Sequence, residues 1–189
     1  MEAAAGLFLQ DGYAATSMNA SAAEAGVAVQ TVYASRRTKP DILRAVIQLT
    51  VRGEEDQVPL AQSSRWQEME QATDPRAKLA MFARIHREIC DREAALFVVL
   101  ETAAAVEPDI RPLLREKEQF RYEDQARVAR SLRWRGLLRV GLSARKAGDI
   151  IWALASERVY LALVEERGWA AEEYEAWLTD QLVAALLAR

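Results

Sequence analysis

The sequence predicts an all-α protein, and three observations carry that reading. Alanine, leucine, glutamate and arginine dominate, and all four favour helix. Only eight glycines and five prolines interrupt 189 residues. No segment alternates apolar and polar side chains between turns for long enough to be a strand. About nine or ten helices are expected.

The elements follow in order. In EAAAGLFLQ, Ala4, Leu7 and Phe8 recur at helical spacing, and Asp11-Gly12 ends that helix because glycine takes the left-handed conformation cheaply. Thr16 or Ser17 caps a second helix reaching Ala25, Gly26 makes a tight turn, and residues 28 to 34 form a short third helix. Pro40 stands in the first turn of a fourth, which buries Leu43, Val46 and Ile47. Residues 53 to 64 read as a loop, followed by a helical piece from Trp66 to Ala72. Asp74-Pro75 opens a long stretch to about Val106, with Leu79, Phe82, Ile85, Ile89, Leu96, Val99 and Leu100 inward and a candidate break near Asp91. Pro108 and Pro112 both suit the start of the next helix, which runs to about Arg135. Gly141-Leu142-Ser143 is a loop and cap, residues 144 to 166 are helical, Gly168 stops them, and 171 to 188 form a last helix.

Composition excludes several classes of function. Apolar residues make up 51% and charged residues 28%, an ordinary globular balance rather than a disordered one. Cys90 is the single cysteine, so no internal disulfide and no cysteine-rich zinc site is available, and a cytoplasmic setting is expected. No apolar run is long enough to span a bilayer, and no signal segment or membrane partner is expected. A net charge of −3 gives no general attraction to nucleic acid, so any DNA contact must be local.

Three short helices with a glycine turn fit a helix-turn-helix, whose third helix enters the major groove. Ala22, Ala23 and Ala25 let the second and third helices approach closely. Gln30 and Thr31 stand at the exposed start of the third helix, and glutamine can bond adenine in two places. Thr16, Ser17, Tyr33, Arg36, Arg37 and Lys39 are the candidate backbone contacts.

The run AAAGLFLQDGYAATSMNASAAEAGVAVQTVYASRRTKPDILRAVI resembles the N-terminal domain of the TetR family of transcriptional regulators. Leu7-Phe8, Gly12-Tyr13, Thr16-Ser17, Ala22 to Val27, Thr31-Val32-Tyr33, Lys39 and Ile42-Leu43 carry the likeness. Residues 149 to 182 are similar to the family's closing helices. The resemblance implies a helix-turn-helix domain over residues 1–39. An effector-binding and dimerisation bundle over 40–189 follows it. It implies a homodimer on a near-palindromic operator of double-stranded DNA, acting as a repressor, with a small molecule in the C-terminal domain changing the separation of the two recognition helices. The body's many aromatics and few convergent charges make that effector mostly apolar. No cofactor is expected.

Departures from the family motivate an alternative, an all-α ligand-binding or scaffolding dimer whose head no longer reads DNA. Ser21 stands where an apolar residue is usual, Ala28 where serine is, and Arg36 where an aromatic is, and Met1 already lies inside the matched helix. Within residues 1–50, Arg36, Arg37, Lys39 and Arg44 balance Glu2, Asp11, Glu24 and Asp41. Such a head binds DNA weakly alone and depends on dimerisation.

In the body, Trp66, Phe82, His86, Phe97, Phe120, Trp134 and Trp152 are the candidate pocket residues. His86 and Cys90 lie four apart on one helix, but two ligands are not a metal site. No nucleophile and base are arranged as a catalytic pair, so an enzyme is not expected. Trp177, Leu178, Leu182, Ala185 and Leu186 form a stripe suited to a dimer interface or to packing within one chain. Residues 127 to 146 hold seven cations and no acid, read as a solvated face or as the seat of an acidic ligand or partner.

Overall fold

The structure is a computed structural model that describes residues 2–17, 38–52 and 58–188. Among the described residues every extended element is helical, and the only β-type pairing is an isolated bridge between Leu138 and Leu187. The chain divides into two compact units. The first holds residues 1–56 and 92–117, the second 57–91 and 118–189.

In the first unit, α1 (Glu2–Ala15) is kinked at Gly12, whose φ of 75° lies in the left-handed region. A side chain there would strain the backbone, so glycine is the residue that permits the kink. α2 (Lys39–Arg52) starts with a reciprocal cap. The Thr38 amide and hydroxyl donate to Asp41 Oδ2 at 3.1 and 2.8 Å, and the Asp41 amide returns a bond to Thr38 Oγ1 at 3.3 Å. This pairing satisfies donors that the first helical turn leaves open, and Pro40 fits because it has no N–H to satisfy. Phe8 packs with Leu43 and Val46 from α2 and with Leu100, Ile110 and Leu113 from later in the chain.

α3 (Ser64–Gln71) is capped by Ser63, whose hydroxyl accepts from the Trp66 amide. α4 (Pro75–Val106) opens where the Ala77 amide donates to Asp74 Oδ2 at 2.6 Å. It runs unbroken for 32 residues. The expected break at Asp91 does not occur. Residues 76–106 contain no glycine or proline, and Asp91 accepts from Arg87 one turn earlier at 2.6 Å. A 3₁₀ turn over Pro108–Ile110 leads into α5 (Arg111–Trp134), so Pro108 opens the turn and Pro112 sits in the first turn of the helix.

The expected helix over residues 144 to 166 is three pieces. α6 (Ala144–Leu154) ends at Ala155, α7 (Glu157–Tyr160) is capped by Ser156, and Leu161–Glu166 winds as a π-helix. Side chains from α5 stabilise the break. Arg121 donates to the carbonyls of Trp152 and Ala155 at 3.0 and 2.8 Å, and Gln125 donates to that of Ala155 at 2.8 Å. Those carbonyls would otherwise be left open at a buried helix end. α5 and α6 approach closely through Ala126, Ala129 and Gly148, where a Cβ on the glycine would touch Ala126 at 3.5 Å. α8 (Ala171–Leu186) closes the fold.

Candidate nucleic-acid interface and effector body

Two elements shape the head. At the end of α1, Thr16 is buried and its hydroxyl donates to the Gly12 carbonyl at 2.8 Å, with the Leu7 carbonyl at 3.2 Å. The expectation that Thr16 holds a phosphate therefore meets a different arrangement. Its hydroxyl closes the turn after the kink, and its proton is used internally. Ser17, next in the chain, is exposed.

Lys39 lies at the start of α2. Its ammonium sits 4.2 Å from the centre of the Tyr13 ring and donates to the Ala14 carbonyl at 3.3 Å. Burial lowers its pKa, and the Glu107 carboxylate opposes that shift. Tyr13 is pushed up to about 12, by burial first and then by Glu107 and Asp109. The lysine is thus fixed against a ring rather than free in solvent, and this orients a cation at the N-terminus of α2. Gln30, Thr31, Tyr33, Arg36 and Arg37 lie outside the described residues.

The second unit contains a file of aromatic rings. Trp66 meets Phe82 edge-on with centroids 6.4 Å apart, and Phe82 stacks with His86 at 6.5 Å. His86 adjoins Tyr174 at 6.2 Å, and Tyr174 contacts both Tyr160 at 5.1 Å and Trp177 at 5.9 Å. Trp177 meets Trp169 edge-on at 6.1 Å. A polar line runs beside it. His86 Nε2 shares a hydrogen bond with the Tyr174 hydroxyl at 3.1 Å, and Cys90 Sγ lies 3.5 Å from the same nitrogen. The Tyr160 hydroxyl donates to Asp91 Oδ1 at 2.6 Å. Burial raises the pKa of both tyrosines, so each stays a neutral hydrogen-bonding group at ordinary pH.

The candidate pocket residues divide. Trp66, Phe82 and His86 come together in the file. Phe97 belongs to the first unit, beneath the Lys117 ammonium at 5.0 Å. Phe120, Trp134 and Trp152 are exposed at 55%, 90% and 36%, so they do not line a shared cavity in the chain. Their helical phase points them outward from α5 and α6. Sequence reading missed Tyr160 and Tyr174. The available signal was the extension of the Leu178–Leu182–Leu186 spacing one turn back, to Tyr174.

The dimer stripe needs the same correction. Leu178, Leu182 and Leu186 are fully buried by their own chain, because this face of α8 packs into the second unit. Trp177 and Ala185 remain partly exposed. Among the described residues no three metal-ligating side chains cluster. Nor, among them, is any helix long and apolar enough to cross a membrane.

Residues 1–46 match the model for bacterial regulatory proteins of the tetR family. The N-terminal segment is similar to the TetR family. The match extends through the fixed Lys39 and the capped start of α2. No curated protein matches the chain in sequence. Solved structures of TetR type match nearly all of it. A protein named as a TetR-family transcriptional regulator from Mesorhizobium loti MAFF303099 is 21% identical with a TM-score of 0.73, over 99% of this chain and 94% of that one. A transcriptional regulator of Saccharomonospora viridis in complex with choline is 21% identical with a TM-score of 0.71, over 100% and 95%. FadR of Bacillus subtilis in complex with stearoyl-CoA is 18% identical with a TM-score of 0.71, over 97% and 95%. At these identities the likeness is one of fold, and the chain has the fold of a TetR-family transcriptional regulator.

Proposed function

We propose that the protein is a ligand-responsive transcriptional repressor acting as a homodimer on a near-palindromic operator. The observation that carries this reading is the family match over residues 1–46, a span that contains Gln30 and Thr31. Gln30 and Thr31 contact base edges. Ser17, Tyr33, Arg36, Arg37 and Lys39 hold the phosphates, and Thr16 shapes the turn that presents Ser17. Such phosphate contacts fix register, and base contacts select sequence.

The effector is a small, mostly apolar molecule with a polar group. The ring file from Trp66 to Trp169 supports that chemistry, with His86 and Tyr174 as the polar partners. The choline and stearoyl-CoA held by proteins of similar fold are consistent with a body that accepts small or long organic molecules. Effector binding switches DNA release only if its affinity differs between the two spacings of the paired heads.

A fluorescence-anisotropy titration against the DNA flanking the coding sequence, at two salt concentrations, tests the reading. Sequence-selective, salt-sensitive binding supports it. Absence of selectivity at low salt supports the alternative of a ligand-binding dimer with a silent head, which the charge-neutral N-terminal segment favours.

A further inference from the structure

Tyr13 links a buried ring to a charged amine. It follows Phe8 by five residues, which sets two side chains about 140° apart around a straight helix. The kink at Gly12, with its φ of 75°, turns the chain between them. The two rings therefore stack, with centroids 5.8 Å apart and planes inclined by 19°. Phe8 is fully buried in a cluster that includes Leu43 and Val46 of α2. A ring clamped in the core thus fixes a second, half-buried ring near the end of α1.

Lys39 completes the arrangement from the start of α2. Its ammonium lies 4.2 Å from the Tyr13 ring centre and donates to the Ala14 carbonyl at 3.3 Å. Ala14 is in the last turn of α1, where carbonyls lack a partner within the helix. An ammonium has three donors, and Ala14 uses one. The Glu107 carboxylate favours the charged amine against the opposing effect of burial. A lysine in open solvent samples many rotamers, and ordering it on binding costs affinity. Here the ring and the carbonyl order it beforehand.

We propose that Tyr13 is a positioning residue for DNA binding: its ring, held by the Phe8 stack, presents the Lys39 ammonium to a backbone phosphate. The proposal rests on the DNA-binding reading above and adds a residue that touches no DNA itself. The ring face attracts the amine through its quadrupole, so the phenol hydroxyl plays no part. Phenylalanine at this position serves as well as tyrosine, and an aliphatic side chain does not. A phosphate contact carries no base information, so the effect is the same on every duplex.

Fluorescence anisotropy on the full chain tests this with the flanking duplex and an unrelated duplex. Tyr13→Leu and Tyr13→Phe are compared, each alone and combined with Lys39→Gln. Tyr13→Leu should weaken binding to both duplexes by about threefold to tenfold per head, the cost of ordering one long side chain. Tyr13→Phe should recover most of that loss. With Lys39→Gln already present, Tyr13→Leu should cause no further loss, because no ammonium remains to be placed. Circular dichroism melts check that the variants fold. Nuclear magnetic resonance of the wild type needs no variant to fold. The Lys39 ε-methylene protons should resonate upfield of other lysines, shielded by the ring, and stay there when duplex is added. Unchanged affinity in Tyr13→Leu, equal losses in the two backgrounds, a Tyr13→Phe as weak as Tyr13→Leu, or a return of those protons to the ordinary position on binding overturns the proposal. Each of these leaves the DNA-binding reading standing. A wild type that binds neither duplex at low salt overturns both.

Discussion

The His86 imidazole and the Tyr174 hydroxyl meet 3.1 Å apart, although they are 88 residues apart in the chain. The bond joins α4 to α8 inside the second unit, between groups 7% and 0% exposed. Tyr174→Phe keeps the ring and removes only this bond. The expected cost is about 1–3 kcal/mol, since a buried polar partner is left poorly satisfied. In a chain of this size that lowers Tm by roughly 2–4 °C per kcal/mol. Calorimetry of the two proteins checks it, and an unchanged Tm contradicts the hydrogen bond.

Leu182→Ala separates core from interface. Leu182 has no exposure, so truncation should cost about 2–5 kcal/mol through lost burial and a cavity. If the side chain serves its own unit, the shift in urea midpoint will be the same at low and high protein concentration. A shift that appears only on dilution would return this leucine to the dimer seam.

Lys39→Gln addresses the phosphate contact. Its ammonium is already oriented against Tyr13, so on the proposed reading it would meet a phosphate with little further ordering. Affinity should fall evenly across operator variants. The slope of log K against log salt should decrease by about 0.9 per head, the share of one neutralised phosphate. A slope equal to the wild type means that Lys39 serves only the fold.

Alkaline pH should weaken the protein through its tyrosines. Burial pushes Tyr13 up to about 12, above the usual phenol value of 10.0, and Tyr160 and Tyr174 are also raised. The unfolded chain therefore loses these protons first. The stabilisation from Tyr13 is whole below pH 10 and declines as pH climbs toward 12. The lowered pKa of Lys78 works the other way, adding stability as pH rises toward 10.5. Absorbance at the tyrosinate band, followed with circular dichroism, should show these phenols ionising together with loss of helix. Full ionisation of the native protein before any loss of helix would contradict their burial.

Local chemistry was legible in the sequence and distant chemistry was not. The kink at Gly12 and the caps at Ser143 and Asp74 depend on residues within a few positions, so their signals survive in one dimension. The break after α6 depends on Arg121 and Gln125, which lie 34 and 30 residues before Ala155. A run of good helix formers conceals it. The α8 stripe shows the limit of periodicity. Spacing says that Leu178, Leu182 and Leu186 share a buried face, but not whether the covering surface comes from the same chain. Phe120, Trp134 and Trp152 stand exposed for a related reason. Ring size predicts burial on average, while Trp134 sits at the end of α5 with no element over it.

Lys78 is 1% exposed, and its ammonium is held by the carbonyls of Met69 and Glu70, each at 2.8 Å. Lys117 in the other unit is nearly as enclosed, its side chain 9% exposed beside Glu93. An amine-acylating reagent should therefore mark Lys146 at once and reach these two only when their surroundings open. The rates at which they gain mass then time the breathing of each unit separately, within a single unlabelled wild-type molecule.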